Sequence, residues 1–317
     1  MKRKKNISSL ICAVSITVLL FVGFIKPANA QQDPVYTQYM NNLMSVNPAY
    51  TGVRGVGSAS LISRKQWLGI DGSPFTTSLN LALALDSLHI GGGFDFLYDN
   101  IGPTITTALF LDYSYKIKAT ENSQISFGLK GGFNYLKANL INLYRHDYDD
   151  EYILLYPDFS RFMPNFGVGI YWYSDQFYAG LAIPRLLQNK FIKDETSIEA
   201  ASREERHYFL HGAYLFDLSP NLVFKPGITT IMVAGAPVTA DFDFSFMIYD
   251  MVTLGAMYRI SDGPGGYVQV QYDNFKFGLS YDYSHTRLGQ FTVGTFELMI
   301  RYDFRTKASQ ILPLPKF

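Results

Sequence analysis

The sequence has almost no cysteine. The one present, Cys12, lies in the first apolar run and none follows it. Residues 31–317 therefore offer no disulfide, no cysteine-ligated metal and no thiol nucleophile. After residue 30 no apolar stretch approaches the roughly 20 residues that a membrane helix needs, so helical spanning is excluded there. Excess positive charge is missing too. Five of the 27 Lys and Arg and none of the 27 Asp and Glu lie in residues 1–30, which leaves residues 31–317 with 22 against 27, a net −5. Nucleic acid is not an expected partner of such a chain.

Catalytic constellations are equally scarce. No serine sits in a Gly-x-Ser-x-Gly elbow, and Gly91-Gly92-Gly93 is not followed by the helix a phosphate cradle requires. Those glycines, with Gly128, Gly131 and Gly132, read instead as places where a strand bends or accepts a close neighbour. His207 and His211, four apart on a strand, stand about 13 Å apart at ~3.3 Å per residue, too far to share one zinc. The acidic stretch "NLYRHDYDDEY", with His146, Asp147, Asp149, Asp150 and Glu151, lacks the spaced ligands and glycine of a calcium loop. It reads as a solvated, partner-facing loop. Neither an enzymatic activity nor a cofactor or metal is expected.

What the sequence does contain begins with an address. Lys2, Arg3, Lys4 and Lys5 precede an apolar run from Ile7 to Ile25, Lys26-Pro27 ends it, and Ala28-Asn29-Ala30 fits the small-x-small cleavage rule. Residues 1–30 are expected to be a cleaved signal peptide.

Alternation dominates the rest. In Asp241 to Phe246 the phenylalanines fall on one side and Asp241, Asp243 and Ser245 on the other. Phe275, Phe277, Leu279, Tyr281 and Tyr283 oppose Lys276, Gly278, Ser280, Asp282 and Ser284, and Phe296 to Phe304 repeats the rule. A soluble sandwich would bury the apolar face, whereas an outer-membrane barrel turns it to lipid and the polar face to its lumen. Aromatics toward strand ends (Tyr113, Tyr115, Tyr171 to Tyr173, Tyr281, Tyr283, Tyr302, Phe304) suit the interfacial girdles of a barrel. The expected fold is all-β, a transmembrane antiparallel barrel of about fourteen strands over 56–304, with short periplasmic turns and long outer loops at 67–75, 139–162 and 184–204.

Residues 31–55, "QQDPVYTQYMNNLMSVNPAYTGVRG", precede the first strand and are expected on the periplasmic side. Disordered leaders are poor in aromatics and rich in charge. This one carries Tyr36, Tyr39, Met40, Leu43, Met44 and Tyr50, so it is expected to be ordered, plugging the barrel or capping its periplasmic mouth, with a turn at Asn47-Pro48. The expected lumen face holds both signs (Lys116, Lys130, Lys225, Arg259, Lys276, Arg301; Asp112, Asp241, Asp243, Asp282, Glu297, Asp303), which favours internal pairing over a one-sign selective pore.

The run "DPVYTQYM" (33–40) followed by "NPAYTG" (47–52) resembles the start of the PorP/SprF family of Bacteroidetes type IX secretion, as do "RKQWLGIDGSP" (64–74), "DNIGPT" (99–104), "SFGLKGGFNY" (126–135), "PNFGVGIYWYSDQFYAGLAIPRLL" (164–187) and "RHYFLHGAYLFDLSPNL" (206–222). The resemblance covers nearly all of the chain after residue 30. It implies an outer-membrane, non-enzymatic component that binds exported adhesins through their C-terminal domains and helps their export or surface anchoring, in some members with a link to gliding motility. The alternative is a pore for small solutes. Partner contacts are expected from Trp67, Tyr144, Arg145, Tyr148 and Arg185 on the outer loops. Tyr36, Tyr39, Asn47 and Pro48 of the leader, with a tail at 305–317, are expected to face periplasmic secretion components.

Overall fold

The computed structural model describes residues 34–139, 158–191 and 203–304. Fourteen strands form one antiparallel sheet: β1 Gly57–Lys65, β2 Phe75–Leu85, β3 Ile90–Ile101, β4 Thr104–Thr120, β5 Ser123–Asn139, β6 Asp158–Ser174, β7 Phe177–Ile183, β8 His207–Tyr214 continued by Phe216–Ser219, β9 Leu222–Val233, β10 Thr239–Ile248, β11 Val252–Arg259, β12 Gly263–Tyr272, β13 Phe275–Asp282 and β14 Thr295–Phe304. Each pairs with the next, and β14 pairs with β1 from Gly57↔Phe304 to Lys65↔Phe296. The sheet is closed. Closure satisfies every strand's backbone groups without an edge, the condition for β-structure in lipid.

The two halves of β8 both lie along β9, through Ala213↔Gly227 and Phe216↔Phe224. They are one strand interrupted at Leu215, whose side chain is buried and whose N–H donates to the Gln176 carbonyl at 2.7 Å. β6 starts at Asp158, inside the outer loop expected over 139–162.

Side chains sort as period-2 geometry requires. On β13 Phe275, Phe277, Leu279 and Tyr281 are exposed on the outer wall, while Ser280 and Asp282 are buried inside; on β14 Leu298 faces out, and Glu297, Met299, Arg301 and Asp303 face in. No helix among the described residues is long and apolar enough to cross a membrane. The apolar band is built from strands. The expected girdle needs one correction. Tyr171 and Tyr173 point inward and are buried, so within that group only Trp172 lies on the outer wall.

Short links at 86–89, 121–122, 175–176, 220–221, 249–251 and 273–274 share one end of the barrel. The links at 66–74 and 283–294, and the strand ends Asn139, Asp158, Ile183 and His207, share the other. In outer-membrane barrels the short turns face the periplasm and the long loops the exterior. Expected features in 1–33, 140–157, 192–202 and 305–317, including Tyr144, Arg145, Tyr148 and the C-terminal tail, lie outside the described residues.

Candidate functional site

The lumen is occupied by the chain's own N-terminal segment. Residues 34–56 form three short turns, a 3-10 turn Tyr39–Asn41, a single helical turn Leu43–Val46 and a 3-10 turn Pro48–Tyr50. Asn47 starts the last of these by accepting the Ala49 N–H on Oδ1 at 3.0 Å, with Pro48 at the first helical position, where its missing N–H costs nothing. The segment is not confined to the periplasmic side. Thr37 and Gln38 donate backbone N–H groups to the Glu297 carboxylate near the outer end of β14, at 3.0 and 2.9 Å. At the opposite end, Lys116 Nζ donates to the Gly52 carbonyl at 3.0 Å and Arg54 pairs with Asp303 at 3.0 Å. From Glu297 to Asp303 the wall rises roughly 20 Å at ~3.3 Å per residue. The segment therefore crosses the lumen lengthwise, entering at the outer mouth.

This gives the barrel an apolar core inside a polar lining. Tyr36, Tyr39, Leu43, Met44, Val46, Ala49, Tyr50 and Val53 are buried together with wall residues Ile62, Tyr171, Tyr178, Phe209 and Met299. The Tyr171 ring meets Tyr50 edge-on at 5.4 Å and stacks on Tyr178 at 5.5 Å, geometries worth about 0.5–1.5 kcal/mol each beyond burial. Side-chain amides suit the polar wall between. Asn47 Nδ2 reaches the Ile170 carbonyl at 3.2 Å and His211 Nε2 at 3.4 Å; Gln38 Oε1 accepts from Gln269 at 3.0 Å. His211 is thus a packed lumen histidine between Tyr171 and Asn47.

Wall glycines make room for this close approach. A Cβ on Gly128 would fall 2.0 Å from Ala49 N, and one on Gly91 2.1 Å from the Thr51 carbonyl oxygen. The missing side chains are what let plug backbone lie directly on strand backbone.

Charge in the lumen is largely paired. Arg64, fully buried on β1, bridges Asp282 at 2.8 Å and Glu297 at 3.2 Å and also donates to Thr37 Oγ1 at 2.7 Å. Arg259 holds Asp241 bidentately and donates to the Tyr36 carbonyl at 3.0 Å. Lys130 lies between Asp95 and Asp112, and reaches the Ser45 carbonyl at 3.4 Å. Buried pairs contribute little net stability, yet removing one partner costs about 3–5 kcal/mol. They fix the plug's register. Arg64, Asp95 and Arg54 escaped the list of lumen residues read from the sequence; alternation along "FDFLYD" and "SLISRK" places Asp95 and Arg64 inward.

At the outer mouth two adjoining cavities of about 460 and 480 Å³ share Pro34, Val35, Gln66, Trp67 and His207. Trp67 adopts φ +48°, uncommon for a bulky residue and costing about 1–3 kcal/mol. Its indole N–H is buried without a partner among the described residues. Arg185 lines the second cavity and lies 3.8 Å from Glu204. Glu204 also accepts the amides of Asn134 at 2.6 Å and Asn189 at 2.7 Å, which ties the described ends of the 184–206 link to the wall.

Of the nine expected partner residues, the six within the described residues separate into two groups. Trp67 and Arg185 meet at one mouth cavity. Tyr36, Tyr39, Asn47 and Pro48 are buried in the lumen, engaged with the wall and with one another. No group of three metal-ligating side chains occurs among the described residues.

Fold and lumen define the class, an outer-membrane β-barrel with an internal plug. Among solved structures, the CymD monoaromatic hydrocarbon channel matches with TM-score 0.51 and 9% identity, over 86% of this chain and 94% of that one. The Acinetobacter baumannii outer membrane protein Omp33 matches with TM-score 0.46 and 10% identity, over 80% and 100%. At such identity the likeness is of fold alone. The particular kinship comes from sequence: the chain belongs to the PorP/SprF family of type IX secretion system membrane proteins, whose family model matches residues 28–302. No curated protein matches it. Family and fold are those of a secretion component of the outer membrane, not of an enzyme class.

Proposed function

We propose that this barrel is a non-enzymatic binding and anchoring component of type IX secretion. It would hold an exported adhesin by its C-terminal domain at the outer mouth, meet other secretion components at the short-turn end, and serve gliding motility where the adhesin is a motility adhesin. The observation that carries this is the plug. A lumen threaded from mouth to base by 34–56, with buried ion pairs at Arg64 and Arg54, is a poor conduit and a stiff platform. The mouth adds a recess floored by Pro34 and Val35, with the strained Trp67 at its rim; the indole N–H is buried without a partner among the described residues, a donor that an acceptor on a bound partner would satisfy.

The test is affinity isolation of the tagged barrel from native outer membranes, with and without residues 143–157, a deletion that stops short of β6. Co-isolation of a large surface protein, lost on deletion or in Trp67→Ala, is expected. Undiminished adhesin display in the deletion would sink the assignment of the outer loops. Barrel recovered alone, with steady single-channel conductance in planar bilayers, would favour the solute pore.

A further inference from the structure

Near the short-turn end the lumen carries a surplus of positive charge. Arg54 and Arg301 both approach Asp303, Arg54 through a 3.0 Å hydrogen bond and Arg301 Nε at 3.3 Å without hydrogen-bond geometry. Lys276 is paired in register with Arg301 across β13 and β14, and Lys225 lies across from Ser245 on β9 and β10. Neither lysine makes a hydrogen bond or ion pair within the described residues. Among the described residues Lys276 has Arg301, Arg54 and Lys225 as like-charged neighbours against Asp303, and Lys225 has Asp243, whose Oδ1 also accepts the Tyr267 hydroxyl at 3.1 Å. Four cations therefore face two carboxylates, Asp243 and Asp303, which leaves an excess of two positive charges.

The lysines line one small cavity, about 20 Å³, with Asn41 of the plug, Ser245, Thr253 and Gln269. Asn41 is 7% exposed; its Oδ1 accepts from Arg301 at 3.1 Å, while its Nδ2 is buried with no partner among the described residues. Beside this cavity the buried Arg54 likewise leaves Nε and Nη1 without a partner among the described residues. Orphaned donors and unneutralised cations are both costly in a low-dielectric interior, and one bound anion would satisfy both. The cavity's size is that of one or two water molecules.

We infer that this cavity, between the plug and β9 to β13, is a binding site for a single small inorganic anion of chloride to phosphate size, held by Lys225 and Lys276 with the Asn41 amide as donor. The anion would neutralise the base of the lumen and so fasten the plug's Asn41 end to the wall.

The test uses the purified full chain, folded in detergent, with its unfolding temperature followed in sodium gluconate as phosphate or chloride replaces gluconate at constant ionic strength. A saturable rise is expected. It should weaken at least tenfold in apparent affinity in Lys276→Gln or Lys225→Gln and vanish in the double variant. Lys276→Gln should also unfold at a higher temperature than the unaltered chain in gluconate alone, because it relieves repulsion, an effect that loss of a merely structural lysine would not give. Saturation by phosphate only, or by both ions, supports the site and sorts its ligand. Absence of saturation with either, or an undiminished rise in the double variant, overturns it. Should the variants fail to fold, crystals of the unaltered chain soaked in bromide decide: an anomalous peak between Lys225 and Lys276 supports the site, and its absence overturns it.

Discussion

Glu297→Ala isolates the outer latch of the plug. The carboxylate is 1% exposed and accepts three donors, the backbone N–H groups of Thr37 and Gln38 and Arg64 Nη1 at 3.2 Å. Hydrogen bonds to a charged group contribute about 1.5–3 kcal/mol each. The loss is not the full sum, because Arg64 keeps Asp282 at 2.8 Å and Thr37 Oγ1 at 2.7 Å. An effect of about 3 kcal/mol on holding residues 37–38 follows, and at 1.4 kcal/mol per decade the locally open population rises roughly a hundredfold. The sequence makes this readable, since no cysteine occurs after Cys12. A single reporter, Met44→Cys, replaces a plug side chain that is only 3% exposed, and its rate of reaction with a membrane-impermeant thiol reagent tracks the open population while reclosure outpaces labelling. We predict a roughly hundredfold faster reaction in Glu297→Ala, with the barrel's own unfolding little changed, and about half that free-energy effect in Glu297→Gln. A rise below threefold, or an equal rise from the exposed-link control Asn274→Ala, would refute the idea that Glu297 latches the plug.

Two further outcomes test the wall. Gly128→Val should destabilise the plugged barrel by about 1–3 kcal/mol through overpacking against Ala49, whereas Gly92→Val, where a Cβ meets nothing within 4 Å, should be nearly neutral; urea unfolding of both in detergent checks the contrast, and equal effects would remove the close-approach explanation. Leu129→Arg, on the lipid face and 58% exposed, should cost about 2–4 kcal/mol in lipid vesicles if it lies near the midplane; a cost below 0.5 kcal/mol would mean that this face does not meet acyl chains.

The wall was legible because alternation is a local signal. Phe242, Phe244 and Phe246 read as outward from their neighbours alone, and so does the pairing of Lys130 with acids once both signs share a face. The same rule, applied strictly, separates Trp172 from Tyr171 and Tyr173; grouping the three as a girdle followed aromatic identity over parity, and the structure sides with parity. The plug was legible only in part. Its aromatics and amides indicate order, but a segment of short turns has no period, and nothing local tells which wall carboxylate meets the N–H groups of Thr37 and Gln38. Its direction through the lumen, and hence Arg64 at 0% exposure, depends on contacts some 260 residues apart. The glycines show the same limit. That Gly128 accepts a close neighbour is readable; that the neighbour is Ala49 is not.

Direction through the lumen also decides how the plug could loosen. At the outer end Glu297 and Asp282 are neutralised by Arg64, a wall residue, so withdrawing residues 34–38 breaks hydrogen bonds but strands no carboxylate. At the base Asp303 keeps Arg301 at 3.3 Å when Arg54 leaves, so charge is not what holds the plug there; the covalent chain is, because it continues directly into β1 at Gly57 and cannot withdraw without the wall. Loosening must therefore begin at the outer mouth, beneath Trp67 and Arg185. A partner seated in that recess would bear on the part of the plug that is cheapest to move, while the base stays fixed.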